Sequence, residues 1–388
     1  MKLTYTPAQQ AFRAEVRGWL AAHIPKSPLK SFDTEEGFAQ HRAWERTLSE
    51  GRWSAVTWPS EYGGRSADLI EWLIFEEEYW AAGAPLRVNQ NGIFLLAPTL
   101  MEFGSAEQKV RFLPRMATGQ DVWAQGWSEP GAGSDMAAIR TKAERQNGHY
   151  VVNGQKTWST RAVWADWLFA LVRTEPDSQR HQGLSFLLIP LSTPGITIRP
   201  IRQLNGLPGF AEIFFDNVRV PAENLLGDVG GGWNVAMATA GFERGLMLRS
   251  PARFQASAAA LVKLYRKHPE AAAADPSLRD AVSKAWMDAE AYALATYATA
   301  ARIIAGTKIG PEASTNKIFW SELDLHIHET AMRILGPYGE LMHEAPMAPE
   351  GAGWLDGFLF AQAGPIYAGS NEIQRNIIAE RVLGMPKS

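Results

Sequence analysis

The sequence predicts an α+β protein: an N-terminal α-helical domain, a middle antiparallel β barrel or sandwich domain, and a C-terminal four-helix bundle. Apolar residues recur at helical spacing in the first part, short apolar strands separated by Pro and Gly fill the middle, and alanine-rich helical patterning returns after it. We place the domain boundaries at 1–118, 119–227 and 228–388. Strands and helices do not alternate along the chain, which argues against a parallel α/β sheet.

The N-terminal part contains two helical stretches separated by a loop. Pro7 opens an amphipathic segment with apolar residues at helical spacing, and the loop covers 58–64. The next helix carries the acidic run Glu76, Glu77 and Glu78. We interpret this run as a solvated helix face with one member turned inward, because adjacent helical residues do not face each other.

The middle part has the sequence pattern of β strands. The segment 150–158 predicts a hairpin, because its Asn153-Gly154 dipeptide suits a type I′ turn. The apolar runs 167–172 and 184–189 predict buried strands, and 213–220 predicts another before a proline. Short strands at this spacing favour a barrel or a sandwich.

The C-terminal part begins after a glycine-rich connector at 227–232. Alanine-rich segments at 256–260 and 281–305 predict long helices that pack closely. The pairs His268-Pro269 and Asp275-Pro276 mark a break between these two helices, because proline disfavours helical conformation in the residue before it.

Composition excludes several classes of function. The net charge of -3 gives no general attraction to nucleic acid. The absence of cysteine excludes disulfides, thiolate catalysis and cysteine metal sites. No signal peptide and no apolar run of roughly 20 residues is present, so we expect a cytoplasmic protein without membrane insertion. His326 and His328 are two residues apart on a predicted helix, and no metal site is expected.

Four ordered blocks carry a more specific signal. They are 123–135 (WAQGWSEPGAGSD), 153–160 (NGQKTWST), 215–227, and 367–378 (YAGSNEIQRNII). Together they resemble the acyl-CoA dehydrogenase family across nearly the whole chain. The resemblance implies an FAD-dependent enzyme that oxidises the Cα–Cβ bond of an acyl-CoA thioester and passes electrons to an electron-transfer flavoprotein. Family members are usually homodimers or homotetramers.

The resemblance also assigns residues to the cofactor and the substrate. A flavin presents a flat ring, hydrogen-bonding edges and a pyrophosphate, and tryptophan, serine and threonine side chains suit those features. The implied cofactor contacts are Gln125, Trp127, Ser128, Ser134, Trp158, Ser159, Thr160, Gly336, Ser370 and Glu372. The implied substrate contacts are Ser134, Arg244 and Gly369.

One departure from the family pattern concerns the catalytic base. Many members place a glutamate directly after the tyrosine of the last block, where this chain has Ala368. Some members instead carry the glutamate on an earlier helix, just before an arginine, and Glu243-Arg244 matches that arrangement. The resemblance therefore implies that Glu243 removes the α-proton while hydride passes to the flavin. The backbone N–H of Ala368 keeps its implied role as a donor to the thioester oxygen.

Several alternatives stay open at this point. The chain lacks the family's Arg-x-x-Phe-Gly segment, and the sequence does not choose between Arg266 and Arg279 as a replacement. A non-catalytic subunit of a heteromeric dehydrogenase is one alternative function. An oxidase or monooxygenase that uses O₂ directly is another. The acyl group is not readable, and branched, cyclic, steroid-like and dicarboxylic chains are all compatible.

Overall fold

The computed structural model describes residues 4–244, 250–307, 310–343 and 345–386, with the backbone alone for Glu243 and Arg244. The chain divides into two compact units that cut across the linear order. The helical unit takes its residues from Met1–Ala22, Asp68–Ala84 and Arg244–Ser388, and the sheet unit is formed by His23–Ala67 and Pro85–Glu243. The boundaries near 118 and 227 are divisions of the sequence and stay predictions.

The N-terminal third is helical, as predicted. Its helices are α1 (Pro7–His23), α2 (Glu35–Glu50), α3 (Leu69–Ala81), α4 (Ala97–Phe103) and α5 (Ala106–Ala117). Thr34, Asp68 and Ser105 cap α2, α3 and α5 by accepting bonds from backbone N–H groups of the first turn. Such caps satisfy donors that have no partner within the helix, which is why the helices begin at these residues.

The acidic run on α3 is buried, and the prediction of a solvated face is wrong. Glu76 and Glu78 are both buried, and Glu77 is partly buried. Arg13 of α1 binds both Glu77 and Glu78. Glu76 accepts a bond from the indole of Trp80. The run therefore attaches α1 to α3 within the helical unit, because buried carboxylates require partners of this kind.

The middle part forms one eight-stranded sheet. Its strands are β1 (Trp123–Gly126), β2 (Lys142–Gln146), β3 (His149–Thr160), β4 (Trp167–Arg173), β5 (Leu184–Pro190), β6 (Ile196–Ile201), β7 (Phe210–Pro221) and β8 (Leu225–Leu226). The order is β6-β7-β3-β2-β4-β5-β8, with β1 beside β4. Most pairs are antiparallel, but β1 and β2 each pair with β4 in parallel. The predicted β domain is confirmed, with this mixed pairing as a departure.

The predicted hairpin turn lies at a different dipeptide. Asn153 and Gly154 lie inside the continuous strand β3, where the register against β7 shifts. The turn is Asn147-Gly148, which joins β2 to β3 by a two-residue loop. Both residues have positive φ, 49° and 77°, as a type I′ turn requires. The segment 147–154 contains two Asn-Gly dipeptides six residues apart, and only strand pairing distinguishes them.

The C-terminal part is helical, as predicted. Its helices are α6 (Gly232–Arg244), α7 (Pro251–Lys267), α8 (Pro269–Ala274), α9 (Ser277–Ile304), α10 (Ala313–Leu335), α11 (Gly353–Ala361) and α12 (Asn371–Ile377). Helices α7, α9 and α10 share a core that includes Phe254, Ala285 and Trp320. The breaks predicted at the two prolines are confirmed, because α8 begins at Pro269 and α9 directly after Pro276. No described helix is long and apolar enough to cross a membrane.

Candidate active site

The end of strand β3 is distorted at Trp158. This residue is 60% exposed, and its φ is +59°. A bulky residue with positive φ is an outlier, and such strain clusters at functional sites. The register against β7 shifts between Lys156 and Ser159, which turns Trp158 outward and leaves Ser159 buried. The three predicted flavin contacts of this strand, Trp158 to Thr160, therefore lie on the distorted segment.

The segment that follows β1 lies beside this strand end. The backbone N–H of Thr157 donates to the carbonyl of Ser128 at 2.9 Å, which joins the two predicted flavin segments. Trp127 is buried edge-on against Phe169 and Phe186, with ring centroids 6.3 Å apart in each case. Gln125 and Ser128 are partly buried.

Three buried polar atoms in the blocks 123–135 and 153–160 lack a hydrogen-bond partner among the described residues. They are the indole nitrogens of Trp123 and Trp127 and the hydroxyl of Ser159. A buried polar group without a partner costs about 1–3 kcal/mol. The atoms of Trp127 and Ser159 lie in adjoining segments, as expected of a site that an external polar ligand completes, such as the hydrogen-bonding edge of a flavin.

A buried ion pair holds the two segments together. Lys156 is fully buried, and its Nζ donates to Glu129 Oε1 at 2.8 Å, to the Trp127 carbonyl at 3.1 Å and to the Leu171 carbonyl at 2.7 Å. Glu129 also accepts backbone N–H bonds from Arg140 at 2.6 Å and from the next residue at 2.9 Å. Lysine supplies three donors, and here three strong acceptors satisfy them.

The ionisation of this pair reflects its burial. Burial lowers the pKa of Lys156 to about 8, although the carboxylate of Glu129 opposes that change. Burial raises the pKa of Glu129, but Lys156 and the backbone donors outweigh it and hold that pKa below its ordinary value. The pair is therefore ionised at neutral pH.

Lys156 and Glu129 lie inside two sequence blocks, but the sequence analysis did not single them out. The sequence pattern that could have identified Lys156 is the two-residue period of strand β3. Tyr150, Val152 and Lys156 share a parity, and the first two are core residues. A lysine on the core-facing parity predicts a buried charge, and a buried lysine requires a carboxylate or carbonyl partner.

Two other predicted contacts are exposed. Ser134 lies in the exposed loop after β1, next to Asp135, which forms an exposed ion pair with Arg180. Gly336 follows the last residue of α10, has φ +54° and is exposed. A positive φ suits glycine there, so Gly336 has a structural explanation of its own.

The last block forms a tight turn into α12, within the helical unit. Ala368 and Gly369 both have positive φ, 58° and 77°. Ser370 caps α12 by accepting the N–H of Ile373 at 3.4 Å, and Glu372 is exposed in the first turn. Within the described part of the chain, the N–H of Ala368 donates no hydrogen bond. That donor is therefore available to a ligand.

Glu243 and Arg244 end helix α6, and their side chains lie outside the described residues. One turn earlier, Thr239 is buried, and its hydroxyl lies 2.9 Å from the hydroxyl of Thr99 on α4. This contact attaches α6 to α4 inside the sheet unit. The backbone position of Glu243 is thus set by a buried anchor one turn away.

The fold and these segments define a flavin-dependent acyl-CoA dehydrogenase. The family's N-terminal, middle and C-terminal domains match residues 6–120, 124–218 and 230–383. The chain belongs to the acyl-CoA dehydrogenase family. It is 43% identical to the acyl-CoA dehydrogenase IpdE1 of Mycobacterium tuberculosis, with 97% of this chain and 98% of that protein covered. It is 41% identical to the IpdE1 of Mycolicibacterium smegmatis, with the same coverage.

Solved structures agree with this assignment. The ChsE4-ChsE5 complex from Mycobacterium tuberculosis superposes with a TM-score of 0.84 at 30% identity, and both chains are covered completely. The Tcur3481-Tcur3483 steroid acyl-CoA dehydrogenase gives a TM-score of 0.83 at 26% identity, again with complete coverage of both chains. The family consists of FAD-binding flavoproteins, and FAD is the cofactor of this chain. The unpartnered atoms of Trp127 and Ser159 fit its polar edge.

Proposed function

We propose that the chain dehydrogenates an acyl-CoA thioester to the trans-2-enoyl-CoA, with Glu243 as the base. Ala368 carries the proposal: its side chain cannot accept a proton, yet its backbone N–H is free of described acceptors. When bound, FAD supplies the acceptor for the hydride. Glu243 takes the α-proton, and the N–H of Ala368 stabilises the enolate that forms on the thioester oxygen.

The remaining cofactor and substrate contacts are part of this proposal. Trp127, Ser128 and the strand end Trp158–Thr160 hold the flavin ring, and Gln125 supports them. Ser134, Gly336, Ser370 and Glu372 serve more distant parts of the cofactor. Arg244, Gly369 and Ser134 serve the CoA ester. Ser370 and Glu372 also begin helix α12, which accounts for both residues structurally.

Glu243→Gln tests the base. The variant keeps the shape of the side chain but cannot remove a proton, so we expect it to stay yellow and to lose at least about 10²-fold in α-proton exchange with solvent deuterium. Glu144→Gln, on an exposed position of β2, is the matched control. Near-full turnover of the Glu243 variant would show that another group is the base.

We further propose that the enzyme works as an oligomer and delivers its electrons to an electron-transfer flavoprotein. The likeness to the ChsE4-ChsE5 complex and to the Tcur3481-Tcur3483 enzyme favours a heteromer over a homodimer or homotetramer. The test is the size and flavin content of the chain expressed alone and with neighbouring gene products. A stable, flavin-loaded, active protein from this chain alone would exclude an obligate heteromer.

The likeness to the Tcur3481-Tcur3483 steroid acyl-CoA dehydrogenase makes a steroid-type acyl-CoA the first substrate to examine. We expect flavin bleaching to be fastest with polycyclic acyl-CoA esters in a panel that also contains straight-chain, branched, monocyclic and dicarboxylic esters. A comparison of oxygen consumption with reduction of an electron-transfer flavoprotein separates a dehydrogenase from an oxidase. Preference for a straight-chain ester would contradict the proposed substrate class.

A further inference from the structure

Gln374 contacts the turn at 368–369 from within helix α12. Its Nε2 donates to the Ala368 carbonyl at 3.0 Å and to the Gly369 carbonyl at 3.2 Å. Both partners are acceptors, which fixes the orientation of the side-chain amide. Gln374 is completely buried, so water does not compete for these two bonds.

The burial pattern of α12 is unusual for a short amphipathic helix. Its buried residues are the amides Asn371 and Gln374, whereas Ile373 and Ile377 are partly exposed. Burial of an amide costs free energy unless its polar atoms are paired. The Nε2 of Gln374 is paired, whereas its Oε1 has no partner among the described residues. The helix therefore turns its amides, and not its isoleucines, toward the turn and toward α10.

Asn371 anchors the helix from the other side. Its Oδ1 accepts bonds from Lys317 Nζ at 2.8 Å and from Ser321 Oγ at 3.2 Å, both on α10. Lys317 is also completely buried. The backbone N–H of Asn371 donates to the Pro365 carbonyl at 2.8 Å, which closes the turn. Helix α12 thus has a fixed position from which Gln374 reaches the turn.

The turn requires this support. Ala368 has φ +58°, a conformation that costs a non-glycine residue roughly 1–2 kcal/mol. Before it, Tyr367 is held by its N–H bond to the Ala363 carbonyl at 3.0 Å and by stacking on Trp320. After it, the two carbonyls bind Gln374. The contacts of Tyr367 before Ala368 and of Gln374 after it therefore fix the direction of the N–H of Ala368.

We infer that Gln374 is a positioning residue: by binding the carbonyls of Ala368 and Gly369, it aims the N–H of Ala368 at the thioester oxygen. This inference rests on the proposed function, because it needs that N–H to be the enolate donor. A donor acts only when it points at the place where negative charge develops. Gln374 touches neither the acyl group nor the base in this account.

Gln374→Met tests the inference, because methionine has a similar volume and no N–H donor. The probe is a bound aromatic enoyl-CoA, whose absorption moves to longer wavelength when its carbonyl oxygen accepts a hydrogen bond. We expect the variant to keep its FAD, to lose most of that red shift, and to lose about 10-fold or more in α-proton exchange. Gln362→Met, at an exposed position after α11, is the matched control.

The outcomes separate the two proposals. If the wild-type protein shows no red shift, the proposed role of Ala368 fails. If the wild type shows it and Gln374→Met retains it with normal exchange, the inference about Gln374 alone is overturned. Gln374→Glu, which keeps the shape but replaces the donor, is the second variant if the methionine variant does not fold. Failure of both to fold would also overturn the inference, because it would assign Gln374 to folding.

Discussion

The ammonium of Lys156 and the carboxylate of Glu129 form a buried ion pair at 2.8 Å that joins strand β3 to the segment after β1. The same ammonium binds the carbonyl of Trp127. The buried ammonium of Lys156 thus joins the two segments that are predicted to contact the flavin. Stability and cofactor retention should therefore respond together when this pair is changed.

Removal of one partner should be costly. We expect Lys156→Met to lower the free energy of unfolding by about 3–5 kcal/mol, because it leaves the carboxylate of Glu129 buried without its counter-charge. Urea unfolding of the apoprotein measures the loss, and the flavin-to-protein ratio measures cofactor retention. Lys142→Met, on an exposed position of β2, is the control.

The double variant Lys156→Met/Glu129→Gln refines that test. It removes both charges, so its cost should be less than the sum of the two single variants. Additive costs would show that the two side chains do not act as a pair. Unchanged stability of Lys156→Met would contradict the burial of this charge.

Raising the pH above 8 should increase the free energy of unfolding of the wild type relative to that of Lys156→Met. Burial lowers the folded-state pKa of Lys156 to about 8 from its ordinary value of 10.5. Between these two values the unfolded chain binds the proton and the folded chain does not, so stability rises with pH. The pKa difference corresponds to about 3 kcal/mol, gained progressively between pH 8 and pH 10.5. Urea unfolding at several pH values measures it, and a difference that does not vary with pH would contradict the assignment.

Gly154 should not tolerate a side chain. Its φ is +146°, and a Cβ there would lie 2.7 Å from Thr141 Oγ1 and 2.8 Å from Thr141 Cα. We expect Gly154→Ala to destabilise by about 2–4 kcal/mol, because backbone strain adds to the overlap. Gly131→Ala meets no atom within 4 Å and has no positive φ, so its effect should stay within about 0.5 kcal/mol. Equal thermal unfolding midpoints for the two variants would refute this explanation.

The threonine pair between α4 and α6 should show coupling. Thr99 and Thr239 also approach the carbonyls of Leu95 and Val235, each at 2.8 Å, so two hydroxyl hydrogens serve three contacts. If the two hydroxyls bond each other, one donates to the other and gives up its own carbonyl. We expect a double-mutant cycle with Thr99→Val and Thr239→Val to give a coupling energy of about 0.5–1.5 kcal/mol. Coupling of zero would mean that each hydroxyl bonds only within its own helix.

Local patterns predicted element types well and partners poorly. The helices before residue 118, the strands 167–172 and 184–189, and the breaks before Pro269 and Pro276 are all confirmed, because each follows from a local period or from proline. The hairpin turn was placed at Asn153-Gly154 instead of Asn147-Gly148, because two equivalent dipeptides differ only in which strands pair around them. No local sequence pattern indicates that β1 pairs with β4 in parallel.

The candidate site divides in the same way. The sequence alone determined the family, since four ordered blocks define it, and it located the turn at Ala368 and the candidate base Glu243. Only the tertiary structure decided that Glu76 and Glu78 are buried, that Lys156 joins two segments predicted to contact the flavin, and that Gln374 binds the turn. A residue type and its period record which way a side chain faces. They do not record which distant carboxylate, carbonyl or guanidinium lies next to that side chain in the fold. Burial of a polar group depends on such a partner.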